Sequence, residues 1–266
     1  MPERLGQHFL KNDSAIKKII AALDIQPGET IIEIGPGKGA LTFPLAEECS
    51  QKKCRLITIE KDQKLFSILK EKFKEDLNIF IVEGDVLKEL TKIIEEFKNE
   101  NLKFKIIGNI PYYITGKLLR TISELKNKPS VSVLMVQKEV AERICAIPPR
   151  MNLLAAATQY WAGPEIILRL KAKEFDPPPE VDSAVIQLIT NGQRQTTQKE
   201  GENYYKLIHV IFKQPRKTLA NNLKDGLNIS RPEIEKILNS LSLPLNSRPQ
   251  DISIEHIVDI AGLTSL

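Results

Sequence analysis

Cysteine is scarce in this chain: 266 residues hold three, Cys49, Cys54 and Cys145. None stands in the Cys-x-x-Cys spacing of a zinc site or a redox pair, so no metal centre is expected and a reducing, cytoplasmic compartment fits. Long apolar runs are missing as well. No uninterrupted stretch approaches the roughly 18–20 residues of a membrane-spanning helix. Met1-Pro2-Glu3-Arg4 carries no apolar core of a secretory signal. Charge of one sign is also in short supply. Lys and Arg number 38 against 34 Asp and Glu, a net +4. The excess is spread evenly, with 28 basic residues against 26 acidic before Asn191 and 10 against 8 from there on. Any nucleic-acid surface must therefore come from local clustering rather than from a basic tail. What is present is the composition of a folded protein, 42% hydrophobic and 27% charged. The length exceeds the common domain size of about 100–150 residues, which predicts one large domain with an appendage.

Before Asn191, short β-branched runs alternate with helical patterns. The runs are Thr30–Ile34, Leu56–Glu60, Asn78–Val82, Phe104–Ile107, Val131–Val136, Ile166–Leu170 and Ala184–Ile189. Between them, stretches such as Asp62–Lys74 place Leu65, Phe66, Leu69 and Phe73 on one face of a helix. Strand-helix alternation predicts an α/β domain with a mainly parallel sheet covered on both sides. Its expected extent is residues 1–190. Residues 191–202 (NGQRQTTQKEGE) are wholly polar and read as a linker. Residues 203–266 read as a small all-helical domain, with helices over Tyr204–Phe212, Arg216–Leu223, Arg231–Leu241 and Ile254–Ile260.

The first strand runs into Glu33-Ile34-Gly35-Pro36-Gly37-Lys38-Gly39. Glycines here let the chain turn tightly and approach a nucleotide without a Cβ in the way. The register is G-x-G-x-G, not the G-x-G-x-x-G of dinucleotide sites, which disfavours a nicotinamide dehydrogenase. Glu60 closes the second strand, where a carboxylate accepts ribose hydroxyls. Asp85 follows the third, where an acceptor takes an adenine amino group. Acids at the ends of successive strands suit a nucleoside site.

Gly108-Asn109-Ile110-Pro111-Tyr112-Tyr113 follows the fourth strand. Asn-x-Pro-Tyr resembles the [DNS]-P-P-[FYW] motif of methyltransferases that modify exocyclic amino groups of bases. An adenine N6 lone pair is delocalised into the ring and is a poor nucleophile. Two acceptors, the Asn109 side-chain oxygen and the Ile110 carbonyl, bind both amino hydrogens and draw the nitrogen toward tetrahedral geometry. Pro111 restricts the residue before it to an extended conformation. Tyr112 offers a face for a flipped-out base, worth about 1–3 kcal/mol.

These residues carry a resemblance to the ribosomal RNA adenine dimethyltransferases, the KsgA/RsmA family of small-subunit rRNA N6,N6-dimethyltransferases. It extends through Leu5–Leu10 (LGQHFL), Glu33–Thr42 (EIGPGKGALT), Ile59–Glu60, Gly84–Asp85, Gly108–Ile114 (GNIPYYI), Val136–Ile144 (VQKEVAERI), Phe175–Val185 (FDPPPEVDSAV) and Phe212–Leu223 (FKQPRKTLANNL). The resemblance implies a Rossmann-like class I methyltransferase domain with a helical C-terminal domain, and S-adenosyl-L-methionine as cofactor. It implies that His8 and Leu10 lie over the cofactor, with Gly35, Gly37, Glu60, Asp85 and Asn109 completing its shell. It implies that Phe175 joins Tyr112 in sandwiching the target adenine. The implied reaction is dimethylation of two adjacent adenosines near the 3′ end of 16S rRNA in the pre-30S particle, late in small-subunit biogenesis; a monomer is expected. The chain departs from the family at His8, where asparagine is common, and at Ala146–Leu154 (AIPPRMNLL), where a glycine-rich segment is usual.

For RNA phosphates the best cluster is Lys213, Arg216 and Lys217, extended by Lys224, read here as one face of a helix. Two other readings stay open from sequence. The erythromycin-resistance type, which methylates large-subunit rRNA, shares Asn-x-Pro-Tyr. A non-catalytic ribosome-assembly factor would use the same fold as a shape sensor.

Overall fold

The computed structural model describes residues 8–96, 103–192, 198–227 and 229–264. Leu5–Gln7 of the N-terminal motif and residues 193–197 of the expected linker lie outside these. The chain forms two compact units, one made of residues up to Ala141 together with Gly163–Thr190, the other of Glu142–Ala162 together with the residues from Asn191 on.

The first unit begins with β1 (Phe9–Leu10) and α1 (Asp13–Ala21). Then come β2 (Thr30–Ile34), α2 (Thr42–Lys52), β3 (Arg55–Glu60), α3 (Gln63–Lys72), β4 (Ile79–Glu83), α4 (Val86–Glu96), β5 (Phe104–Asn109), α5 (Thr115–Glu124) and β6 (Val131–Gln137). After α6 (Lys138–Ile144) and α7 (Leu153–Gln159) the chain supplies β7 (Ala162–Leu170), β8 (Phe175–Asp176) and β9 (Ser183–Thr190). Seven strands make one sheet in the order β4-β3-β2-β5-β6-β9-β7. The pairs β4–β3, β3–β2, β2–β5 and β5–β6 are parallel, and β9 is antiparallel to β6. All seven strands fall on the β-branched runs read from sequence. Central β2 is buried at every residue, as a parallel strand with helices on both faces must be. The helices show why they cover it: in α4, buried Val86, Leu90, Ile93 and Ile94 form one stripe.

Close strand packing leaves no room at Gly108. A Cβ there would stand 2.6 Å from the Ile34 carbonyl oxygen and 2.9 Å from Ile110 Cδ1. Gly108→Ala is expected to cost about 1–3 kcal/mol by overpacking, seen as a melting transition several degrees lower.

The second unit is helical: α7, α8 (Gln198–Ile211), α9 (Leu219–Gly226), α10 (Arg231–Ser240) and α11 (Ile254–Leu263) surround a core of Leu207, Ile211, Leu223, Leu238 and Ile257. Two boundaries differ from the sequence reading. Residues 142–162, expected within the first domain, pack with the C-terminal helices, because Tyr160 stacks on Tyr204 at 3.9 Å and the Tyr204 hydroxyl donates to the Ala156 carbonyl at 2.9 Å. Helix α8 also begins at Gln198, inside the expected 191–202 linker. Among the described residues no helix is long and apolar enough to cross a membrane.

Candidate active site

The strand order reverses direction at β2, with β3 on one side and β5 on the other, and open α/β sheets place their ligand crevice at this switch point. A cleft lies there, lined by the carboxyl ends of β2 to β5 and by His8, Phe9 and Leu10. The glycine loop forms one wall. Gly35 and Gly37 have φ of 65° and 59°, the left-handed region where a side chain is strained. A Cβ on Gly37 would also meet the Phe9 ring at 2.8 Å, so the N-terminal segment rests on the loop only because that position is bare. Lys38 closes over Phe9, its Nζ 4.5 Å from the ring centre.

Glu60 is buried in the same cleft and ties the loop to β3. Its carboxylate accepts the Gly37 N–H at 3.0 Å and the Asp62 N–H at 2.8 Å. A carboxylate has about four lone-pair positions, so these two bonds leave acceptor capacity for hydroxyls. Asp85 accepts the Leu87 N–H at 3.1 Å and pairs with Lys61 at 3.2 Å. Partial burial raises its pKa, but the Leu87 N–H and the Lys61 ammonium outweigh that and hold the carboxyl below its ordinary value.

Glu33 was not singled out from sequence, yet it lines the cleft at 1% exposure. Its Oε2 meets no hydrogen-bond partner among the described residues, and neither does the hydroxyl of Thr42 nearby. Its pKa is pushed up to about 8, mainly by burial; Thr42 draws it partly back and the charge of Glu60 adds to the rise. A buried acid in a cleft with one oxygen unsatisfied is the kind of group that a cationic ligand satisfies.

The Asn109–Tyr112 segment is held from three sides. Asn109 Nδ2 donates to the His8 carbonyl at 2.7 Å, which sets the amide's flip and leaves Oδ1 as its acceptor end. The Ile110 N–H bonds to the Met135 carbonyl at 3.0 Å, and Pro111 turns the chain with φ −54° and ψ 128°. The Tyr112 hydroxyl shares a 2.9 Å hydrogen bond with Ser183 Oγ. The ring facing Tyr112 is that of His8, with centroids 6.2 Å apart and planes 24° from parallel. His8 is itself anchored, Nδ1 lying 2.8 Å from the Pro177 carbonyl oxygen.

Phe175 requires a correction. It does not line the cleft; its side chain is 1% exposed in the core with Leu10, Leu170 and Val185. The cause is the two-stranded ribbon of β1 and β8, in which Leu10 pairs with Phe175 and strand alternation turns Phe175 inward while Asp176 faces out. Phe9, Glu33 and Ser183 are the site residues that sequence reading missed. Each lies inside a motif quoted above (LGQHFL, EIGPGKGALT and FDPPPEVDSAV), but nothing local marks it within that motif.

The basic cluster in the helical unit is also corrected. Lys213, Arg216 and Lys217 sit not on a helix face but in the exposed loop between α8 and α9, because Thr218 caps α9 and the helix starts at Leu219. Buried Asn222 pins that loop by donating to the carbonyls of Gln214, Lys217 and Thr218. Lys224 is exposed on α9, and Lys217 pairs with Asp225 at 3.0 Å. Among the described residues no group of three His, Cys, Asp or Glu is arranged to hold a metal ion.

The family model "Ribosomal RNA adenine dimethylase" matches residues 2–263. A relative named Ribosomal RNA small subunit methyltransferase A from Dehalococcoides mccartyi is 40% identical over 254 residues, covering 94% of this chain and 84% of the relative. One of the same name from Lactococcus lactis is 35% identical over 263 residues, covering 97% and 88%. In fold the chain is similar to a dimethyladenosine transferase from Plasmodium falciparum (TM-score 0.80, 24% identity, 95% and 96% covered). It is likewise similar to the 23S rRNA methyltransferase ErmE (TM-score 0.75, 21% identity, 97% and 100% covered). A match over almost the whole length, together with relatives well above 30% identity, means that the chain belongs to the ribosomal RNA adenine dimethylase family.

Proposed function

We propose that this protein dimethylates N6 of two adjacent adenosines near the 3′ end of 16S rRNA, using S-adenosyl-L-methionine, on the pre-30S particle late in small-subunit biogenesis. It acts as a cytoplasmic monomer and needs no metal. The observation that carries the reading is one cleft uniting the bare glycine loop with the anchored Asn109–Tyr112 turn. The cofactor fits the residues present: a bare glycine loop, acceptors at Glu60 and Asp85, and Glu33 with Oε2 unsatisfied for positive charge. When bound, S-adenosylmethionine supplies an electrophilic methyl group on a sulfonium.

The chain's own residues do the rest by positioning. Asn109 Oδ1 and the Ile110 carbonyl accept the two amino hydrogens of the adenine, which localises the N6 lone pair. Tyr112 stacks on the base, its plane held by the bond to Ser183. No strong general base is needed, because the methylated nitrogen is acidic and releases its proton to water. Lys213, Arg216, Lys217 and Lys224 meet RNA phosphates from the exposed loop and helix α9.

The test is incubation with radiolabelled S-adenosylmethionine and under-methylated small subunits, with large subunits in parallel. Label is expected as N6,N6-dimethyladenosine in small-subunit RNA. Label in large-subunit RNA alone would overturn the reading.

A further inference from the structure

The turn that carries Tyr112 carries a second tyrosine with a different fate. Tyr113 lines the mouth of the cleft and is 63% exposed. Among the described residues its ring pairs with no other. One exposed ring is ordinary by itself; at the mouth of the cleft it offers an apolar face with a polar tip to whatever enters.

The exposed face continues along α5. Ile114, Leu118, Leu119 and Ile122 are buried, which turns Tyr113, Gly116, Lys117 and Arg120 to solvent at helical spacing. At Gly116 a Cβ would meet nothing within 4 Å, so the surface between the tyrosine and the lysine is open. Lys117 is exposed. Arg120 is bridged to Glu124 at 2.8 Å, which offsets its charge and marks where the positive track ends.

Resting on the function proposed above, we infer that Tyr113 and Lys117 form a platform for the nucleotide next to the target adenine. Tyr113 stacks on the neighbouring base, and Lys117 meets the phosphate beyond it across the gap at Gly116. A ring and a cation separated by bare backbone suit single-stranded RNA, in which bases stack on aromatics and the backbone follows positive charge. An acidic protein surface would use the lysine but not the flat ring. Continuity with the cleft places the neighbour: once one adenine enters beside Tyr112, the next nucleotide lies at the rim.

The experiment measures methyl transfer to under-methylated small subunits by the wild type, Tyr113→Ala, Tyr113→Phe and Lys117→Ala over a range of salt. Tyr113→Ala is expected to raise KM for the subunits by about 5- to 100-fold, with cofactor affinity and melting temperature unchanged. Tyr113→Phe, which keeps the stack, stays close to the wild type. Lys117→Ala makes the salt dependence shallower by about 0.7 in the log-log slope, the share of one phosphate on a single strand. A wild type that labels no RNA overturns the proposed function itself. An active wild type matched in KM by Tyr113→Ala overturns the platform. If Tyr113→Ala melts early, the Lys117→Ala slope decides, and an unchanged slope overturns the platform as well.

Discussion

Asn109→Ala is expected to lower turnover by about 100- to 1000-fold, the range for removing one preorganised polar contact at a reacting centre, without unfolding the domain. The side chain has two duties. Its Nδ2 anchors the amide on the His8 carbonyl, and in the reaction proposed above its Oδ1 accepts from the target nitrogen and draws it toward tetrahedral geometry. Losing the first relaxes the N-terminal segment, and losing the second removes the localisation of the lone pair. Single-turnover transfer to small subunits, read with a thermal melt, separates the two. A variant that melts like the wild type yet keeps its turnover would remove Asn109 from the chemistry. Tyr112→Ala should lose about 5- to 100-fold, as expected for one base stack, with cofactor affinity retained.

Glu33→Gln is expected to stabilise the protein and weaken the site at once. The folded protein holds the Glu33 proton up to about pH 8, whereas the ordinary value is 4.5. Between those values the folded state binds more protons than the unfolded chain, so stability falls as pH rises from about 4.5 to about 8 and then levels off. At about 1.4 kcal/mol per pKa unit this amounts to several kcal/mol. Glutamine carries no charge to bury, so the variant should melt several degrees higher than the wild type at pH 8 and little differently at pH 4.5. The cost appears in binding. A cation seated beside Glu33 favours the carboxylate, so cofactor binding should release a proton below pH 8 and tighten as pH rises toward it. Glu33→Gln should weaken the cofactor by about 10- to 100-fold, the worth of a hydrogen bond to a charged group, and abolish the proton release. Calorimetry in buffers of different ionisation enthalpy measures both, and equal proton release by the two proteins would exclude Glu33 as the group.

Strands were legible because a parallel sheet covered on both faces demands β-branched runs, and Thr30–Ile34 or Val131–Val136 have no other use for that pattern. The two-residue strands β1 and β8 were not legible, since two residues hold no periodicity. Their pairing sends Phe175 into the core, so a residue implied by resemblance as a base-stacking wall is a core side chain, and the ring facing Tyr112 belongs to His8. Residues 142–162 carry a helical texture like that of any crossover, and nothing local states that Tyr160 will stack on Tyr204, 44 positions later in the numbering.

By itself the sequence determined the α/β class, the cleft's glycine loop, its acids and the Asn-x-Pro-Tyr turn, because each depends on residues close together in the chain: a bare Cα for a tight turn, an acid at a strand end, a proline that sets the backbone before it. Only the tertiary structure decided which side chains face one another. Burial pushed the Glu33 carboxyl up to about 8, strand pairing hid Phe175, the cap at Thr218 moved the basic cluster from a helix to a loop, and the turn at Tyr112 left Tyr113 in the open. The reason is physical: desolvation and ring facing are properties of neighbours brought together from distant parts of the chain, and local spacing does not record them.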